Sequence, residues 1–508
     1  MKKAWYSKFE GLKGPLVMYF IGMILLGVGN TITSSNVILS NMLEAFRYAG
    51  ALIKQLFPFF LVINVIGKTH EDSVPILGGV FSYIIIHLTT MYVAPQNLPA
   101  SYYSSLGKGL LEMVGESTGR SPINLGLIAS IISIVIVMQL YKLSRQRFNY
   151  GVFTFIDNDT WFMVSSILAS ILAGILCSWS FRYYVNAMNI LMNFVSGNST
   201  NPAALFVYGI MERFMEILGI DEVLHNNFWF GLQGGSWTDL GGNIWYGDVN
   251  IWTVQIAQGS VQLGIGKYIT PYFIFNMFLI PGMIMALVAQ YSNKLERNRV
   301  IGLAIIAVIV SLISGSLLPM EYLLLLVAPA LLVILIIITA LLFMILSMLN
   351  VFLGYSFSDY LAFATPGTLL DFIQHNSYLI PESRENFFLV GGICLIVGII
   401  IVFLYYRVLA FDFLEPSKKK MERKEIVKAL GGVNNIRVVD ASPVKISVAV
   451  MDGHKIKAST LMELGAYEVR EAFFCYHIFF GPASVSIARE IKKEMKEYKK
   501  INKFIENK

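Results

Sequence analysis

Charge is scarce in this chain. Of 508 residues, 14% are Asp, Glu, Lys or Arg, against about 25% in an ordinary soluble domain. With 56% hydrophobic residues and a mean hydropathy of +0.62, that shortage excludes a typical soluble globule and implies a polytopic membrane protein. Cysteine is scarcer still. The three present are Cys177 and Cys394, in apolar runs, and Cys475, in the C-terminal region, so neither a disulfide framework nor a thiolate metal cluster is expected. The six histidines are scattered, without HExxH or CxxC spacing, and no metal or cofactor is expected. The net charge of +6 comes largely from the C-terminal region. Membrane proteins collect Lys and Arg on the cytoplasmic side, so the excess reads as topology rather than nucleic-acid binding. A cleavable leader is not expected: the start, MKKAWYSKFEGLKG, is basic and amphipathic, and the apolar run Leu16–Ile32 has no small-residue cleavage site after it.

What is abundant is long apolar sequence. Runs near spanning length fall at 16–35, 49–67, 74–94, 123–141, 161–181, 271–290, 300–318, 323–349 and 389–406. A further run, 202–218, carries Glu212, Arg213 and Glu216, so it is either an amphipathic surface helix or a weak span. Since a crossing helix needs about 20 such residues, the total is about ten. Basic clusters at Lys2–Lys13, Lys142–Arg147, Lys294–Arg299 and Arg407–Lys420 should all be cytoplasmic, and both termini with them. Plain alternation puts the third cluster outside. One segment between 161 and 290 therefore fails to cross fully, or a re-entrant piece intervenes, and parity is restored between 320 and 390.

The most informative stretch is Ser314–Pro329, SGSLLPMEYLLLLVAP. A glycine and two prolines break helical hydrogen bonding inside an apolar region. Freed backbone groups at that depth must be buried in protein or face a water-filled cavity. The stretch also holds one carboxylate, Glu321, and an ionisable residue there marks a substrate path. Glu321 is the leading binding residue, expected at the floor of a polar cavity for a small hydroxylated solute; the alternative is a structural cap on the broken helix behind Pro319. Two more stretches, 219–269 and 350–387, are too irregular for spans and too apolar for plain loops. Such broken helices and hairpins point to a transporter's binding site.

At Glu415 the composition changes. EPSKKKMERKE is a charged linker, placed at 413–422, between a membrane domain over 1–412 and a small domain over 423–500. Helical periodicity at Glu425–Leu430, Lys457–Leu464 and Ala483–Tyr498 and alternation at Asn435–Ala441, Val444–Met451, Tyr467–Phe473 and Tyr476–Phe480 predict an αββαββα antiparallel sandwich. Cys475 is expected in its core. Lys418–Lys420 reads as a topology signal that also touches anionic lipid headgroups.

Several segments together resemble the glucose-superfamily sugar permeases of the bacterial phosphotransferase system, a IIC domain followed by a IIB domain. FEGLKGPLVMYFIGMILLGVGN looks like that family's first helix, with its "GILLGIGN" ending. MFLIPGMIMALV resembles "MFGLPGAALAM", and SGSLLPMEYLLLLVAP stands where the family has "TGITEPIEFSFLFVAP". GYSFSDYLAFATPGTLLDFI, IVKALGGVNNIRVVDAS and GPASVSIAREI resemble its "FS…G..DFI" stretch, its IIB opening and its IIB closing helix. The resemblance implies an all-α polytopic domain with re-entrant hairpins in a bacterial cytoplasmic membrane, a homodimer, a small sugar substrate, and separate IIA and HPr-type phosphocarriers. A cysteine on the IIB domain would take phosphate from IIA and pass it to the bound sugar.

The sequence departs from that pattern where the chemistry sits. The family's C-x-T-R-L-R reads here Ser442, Pro443, Val444, Lys445, Ile446, Ser447. A serine hydroxyl is a far weaker nucleophile than a thiolate. Asp440, two residues back on the strand, is the one candidate base. Lys445 keeps a charge but not an arginine's bidentate fork. The family's "TEP" glutamate is Leu318, whereas its second glutamate survives as Glu321, and a basic stretch has become Ile156–Trp161, IDNDTW. By resemblance His225 and Asn226 stand near the family's "LHH", and Asp248 matches a "GD" pair that either binds or braces a loop. Trp229, Trp237, Trp245 and Trp252 crowd one region, either as sugar-stacking faces or as an interfacial belt. Asp371 and His375 read as a local helix-end pair. The expected function is a sugar permease whose phosphotransfer is in doubt at Ser442; the alternative is a non-phosphorylating carrier or membrane sugar sensor.

Overall fold

The computed structural model describes residues 12–32, 34–70, 72–104, 119–145, 157–259, 261–356, 363, 365–379, 381–409, 425–472 and 475–506. The basic start of the chain, the charged linker with Lys418–Lys420, and 357–362 lie outside them.

Eight of the described helices are long and apolar enough to cross a membrane. In chain order the helices are α1 (Lys13–Thr31), α2 (Val37–Thr69), α3 (Ser73–Val93), α4 (Leu127–Arg145), α5 (Asn158–Gly197) and α6 (Pro202–Leu218). After an irregular stretch come a hairpin of β1 (Ser236–Thr238) and β2 (Ile244–Tyr246), then α7 (Asp248–Ala257), α8 (Thr270–Ala289), α9 (Lys294–Ser314), α10 (Leu318–Val327), α11 (Pro329–Met348), α12 (Leu369–His375) and α13 (Pro381–Leu404). The two expected spans that are not among the eight, α6 and α9, carry charged residues or a shorter apolar core.

Helix ends follow local chemistry. Asn36 and Asp157 cap α2 and α5 with side-chain oxygens. The sequence placed the start of α2 twelve residues too late, because Ser40, Asn41, Glu44 and Arg47 interrupt the apolar pattern of its first turns. Helix α5 runs for 40 residues, about 60 Å at 1.5 Å per residue. That is roughly twice a hydrocarbon core. Ser166, Ser170, Gly174 and Ser178, small residues every fourth position, are buried along it; it packs on α3 at Gly174, beside Thr89, and at Ser170, which donates to Ser82 at 2.7 Å. Such stripes let apolar helices approach closely.

The surface-helix reading of 202–218 does not hold. Glu212, Arg213 and Glu216 are all buried, so the polar face of α6 points into the protein. In α8, Pro281 has no N–H to give, and the turn before it, Phe275–Leu279, widens to π geometry. The interruption expected at Ser314–Pro329 is present. Gly315 takes φ +65° between α9 and α10, and Ala328, just before Pro329, separates α10 from α11 with φ −152° and ψ 73°. A Cβ at Gly27 of α1 would lie 2.2 Å from the Ile313 carbonyl oxygen; only a glycine allows α1 to meet the end of α9 so closely.

Outside the spans, the hairpin pairs Trp237 with Trp245. Hydrogen bonds from Trp245 and Asn243 hold the Asp239 carboxyl down to about 2.

The C-terminal region is a four-stranded antiparallel sheet, order β3-β4-β6-β5, of β3 (Ile436–Ala441), β4 (Ile446–Val450), β5 (Glu468–Ala472) and β6 (Cys475–Phe479). It is packed with helices α14 (425–429), α15 (Ala458–Glu463) and α16 (Ser484–Glu506). Ile436, Val439, Ile446, Val448 and Ile478 form its core with Leu430, Leu461 and Ile491. One expectation fails here. Ile478 faces the core, so by the period-two alternation Cys475 and His477 face away from it; Cys475 is half-buried on the open face.

Candidate functional site

The charged side chains of α6 set the site. Glu212, Arg213 and Glu216 lie in the buried interior, where an unpaired charge is costly. Arg213 is fully buried. Its guanidinium pairs with Glu216, donates to the Tyr272 hydroxyl at 2.9 Å, and lies 3.5 Å from Glu321 Oε1. It also sits 5.0 Å above the Tyr272 ring and 5.7 Å from that of Phe275, faces that attract a cation. Tyr272 in turn donates to Glu212.

The irregular stretch after α6 delivers the next member. His225 opens a π turn over His225–Trp229. Its Nε2 lies 2.6 Å from Glu212 Oε1, and its Nδ1 is 3.7 Å from Asp221. The Trp229 ring stacks on it at 3.5 Å and 13°, and Trp229 Nε1 donates to Tyr208 at 3.1 Å. The imidazole is thereby fixed in plane and in direction. From the other side the broken helix brings Ser316, whose hydroxyl is 3.3 Å from Glu216, and Glu321 itself.

Glu321 is fully buried, and neither of its carboxylate oxygens accepts a hydrogen bond from a described residue. Neither oxygen accepts from a backbone N–H of a described residue, so no capping bond is made by this side chain. Glu212 Oε2 and Arg213 Nε and Nη1 also lack hydrogen-bond partners among the described residues. Three carboxylates thus converge on one guanidinium, with acceptors and donors left open side by side. Buried polar atoms are rarely left so.

Beside them is a cavity of about 90 Å³ lined by residues that include Lys54, His87, Glu216, Asp221, Leu318 and Tyr322. That is room for a few waters. Lys54 lies 3.9 Å from Asp221, so this wall carries its own ion pair.

Of the residues singled out in the sequence, Glu321, His225 and Trp229 meet here. Asn226 is exposed on the other side of its turn. Asp248 is fully buried elsewhere, its Oδ1 accepting from the Gly266 N–H at 2.9 Å and its Oδ2 without a hydrogen-bond partner among the described residues. Trp252 is buried, whereas Trp245 is exposed. Asp371 forms a capping box with Thr368, and His375 bonds back to the Asp371 carbonyl at 2.9 Å. Residues that sequence reasoning did not select are Arg213, Glu212, Glu216 and Tyr272. The signal was available: an E-R-x-x-E spacing inside an apolar run.

In the C-terminal sheet, Ser442 is 2% exposed. Its N–H donates to the Lys445 carbonyl at 2.9 Å, and its hydroxyl is 3.2 Å from the Lys445 N–H, closing the β3–β4 turn on itself. Asp440, the candidate base, is bound by Asn293 Nδ2 at 2.9 Å and lies 3.8 Å from Lys492. The loop between α8 and α9 also pairs with the strand end: Ser292 N–H donates to the Ala441 carbonyl at 3.0 Å, and Ala441 N–H donates to the Ser292 hydroxyl at 2.6 Å. The α8–α9 loop, with the Lys294 end of α9, therefore lies on the same side as the sheet. Among the described residues no group of three or more His, Cys, Asp or Glu side chains is arranged to hold a metal ion.

These features define a polytopic α-helical membrane protein with a buried ionic cluster at a helix break and a small α+β unit docked on one loop. No protein-family model matches the chain. It is 25% identical over 479 residues to the glucose-specific EIICBA component of the phosphotransferase system of Staphylococcus saprophyticus, an alignment covering 90% of this chain. The chain spans 66% of that relative's length.

Proposed function

We propose that this chain is a sugar transporter of the phosphotransferase type, with 1–412 as its transport domain and 423–500 as its IIB-like domain. The observation that carries the reading is the set of unsatisfied oxygens and N–H groups around Glu321 and Arg213. Carboxylate oxygens only accept and guanidinium nitrogens only donate. A neutral polyol offers both O–H donors and oxygen acceptors on adjacent carbons, so it can satisfy both kinds of group without adding charge to a buried site. An anionic ligand would add a fourth negative charge near three carboxylates. In this assignment Glu321 and Glu212 accept sugar hydroxyls, Arg213 donates to a sugar oxygen, and His225, held by Trp229, orders Glu212. The cavity of about 90 Å³ must widen to admit a pyranose, in keeping with a transporter that occludes its site. The staphylococcal relative is a glucose-specific component, which supports a hexose or glucoside as the class of substrate. Separate IIA and HPr-type carriers would be its partners, and the resemblance favours a homodimer.

The second reading is a carrier or sensor that binds sugar without phosphorylating it. One observation favours it: Ser442 is buried, bonded within its own turn, and next to a strand end held by Ser292 and Asn293. One experiment separates them. Membrane vesicles holding the chain are given labelled glucose and a phosphorylated IIA carrier. Sugar phosphate in the lumen supports the permease, and free sugar there supports the carrier. If labelled hexoses and glucosides neither bind nor enter, both readings fail.

A further inference from the structure

We infer that Cys475 is a nucleophilic thiol, with His477 as its base and Ser447 as the residue that orients the base, and that it undergoes exchange with low-molecular-weight disulfides. The inference is independent of the transport reading. On β6, Cys475 and His477 are two residues apart and therefore share a face. Register pairs Ser447 of β4 with His477, so all three stand on the open side of the sheet, opposite the core.

The distances give each atom a role. Ser447 Oγ is 2.9 Å from His477 Nδ1, and His477 Nε2 is 3.9 Å from Cys475 Sγ. The two ring nitrogens thus face two different partners. With Nδ1–H donating to the serine oxygen, the lone pair of Nε2 faces the thiol and is placed to take its proton. This is the nucleophile, base and orienting group of covalent catalysis, built on paired strands rather than on a loop. Cys475 and His477 are half-buried, so a small reagent can reach the sulfur.

The surroundings select the electrophile. A phosphoryl group would need cations around its oxygens. The cation in register with His477 is Arg470, and it is committed: its Nε lies 2.5 Å from Glu468, and its guanidinium sits 5.5 Å over Phe479. Both contacts turn it toward the far end of β6, away from Cys475. A disulfide is uncharged at its sulfurs and needs no such cradle. In the exchange, His477 takes the thiol proton and Sγ attacks one sulfur of the disulfide. A bond forms between Cys475 and that sulfur, the original S–S bond breaks, and the leaving thiolate takes the proton back from His477. The chain's other two cysteines, Cys177 and Cys394, lie in membrane helices, so the second sulfur comes from outside the chain.

The test uses the full chain in detergent with oxidised glutathione as the probe, followed by peptide mass analysis. The expected result is a glutathione adduct on Cys475 that forms about tenfold more slowly in His477→Ala near neutral pH, with the two rates converging in alkali, where the thiol ionises unaided. Ser447→Ala, a smaller change, should slow it less. Equal rates for wild type and His477→Ala, a deficit that persists in alkali, adducts only on Cys177 or Cys394, or phosphate appearing on Cys475 from a phosphohistidine carrier would each overturn the assignment.

Discussion

Arg213 Nη1 and Glu321 Oε1 lie 3.5 Å apart, with both side chains wholly out of solvent and no hydrogen bond joining them. Two more carboxylates, Glu212 and Glu216, press on the same guanidinium. The single cation therefore carries the stability of the cluster, and the carboxylates are in excess. Removing Arg213 leaves Glu216 and Glu321 without the guanidinium they share, and breaking a buried pair this way costs about 3–5 kcal/mol. Removing one acid relieves repulsion. Arg213→Met should fail to yield folded protein or should melt far lower. Glu321→Gln should melt at or above the parent temperature yet lose sugar affinity by about tenfold or more, the worth of hydrogen bonds to a charged acceptor. Thermal unfolding in detergent beside a labelled-sugar binding isotherm checks both. Parallel loss of stability and affinity in Glu321→Gln would show that the residue is structural.

Trp229 is expected to act through His225. Its ring covers the imidazole, and its Nε1 is held by Tyr208. Trp229→Phe keeps a stacking face and loses that bond, a cost of about 1 kcal/mol. Trp229→Ala opens a core cavity and should cost about 3–5 kcal/mol. If His225 depends on that face for its direction, affinity should fall mildly in the first variant and nearly completely in the second. Thermal unfolding read beside the isotherm separates the two contributions: an affinity loss that simply tracks the loss of folded protein would place Trp229 in packing alone.

Gly315 forms the hinge that turns Glu321 inward. At φ +65° a side chain is strained by about 1–2 kcal/mol, and a Cβ there would sit 2.4 Å from the Pro366 carbonyl oxygen. Gly315→Ala should therefore shift the start of α10, lowering sugar affinity while leaving the C-terminal sheet intact. Binding measured alongside hydrogen exchange over 436–450 is the check, and unchanged affinity would mean the hinge tolerates a Cβ.

Much of this was legible in the sequence, and the gaps have physical reasons. Glycine and proline reported the break at Ser314–Pro329, because neither conformational freedom nor a missing N–H can be hidden by packing. The strands near the C-terminus fell close to where alternation put them. Glu321 stood out as a lone carboxylate in an apolar field. Arg213 did not, because three charges in one apolar run are equally what a surface helix carries, and only packing against Tyr272 and Glu321 decides the face. Cys475 was assigned to the core because free cysteines are usually buried; its parity with Ile478 depends on where β6 begins, which the aromatic run around it conceals.

The docking of the C-terminal sheet gives the last prediction. Five hydrogen bonds join Ser292 and Asn293 to the end of β3. Asn293 donates to a carboxylate, a class of bond worth about 1.5–3 kcal/mol when buried, and here less because the site is part-exposed. Lys492, at 3.8 Å and partly exposed, adds a component that salt should screen. Asn293→Ala should loosen the sheet from the loop without unfolding either, because the core around Ile446 and Ile478 is untouched. Hydrogen exchange should quicken at Ala441 and Ser292, and at neither Val448 nor Phe273. The same loop begins α9, whose far end meets Gly27 and carries Ser314 into the broken helix. If the docked sheet restrains α9, sugar affinity should change in Asn293→Ala although the substitution lies far along that helix from Glu321. Faster exchange with unaltered affinity would limit the contact to attachment, and unaltered exchange would show that the remaining bonds of Ser292 hold the sheet without Asn293.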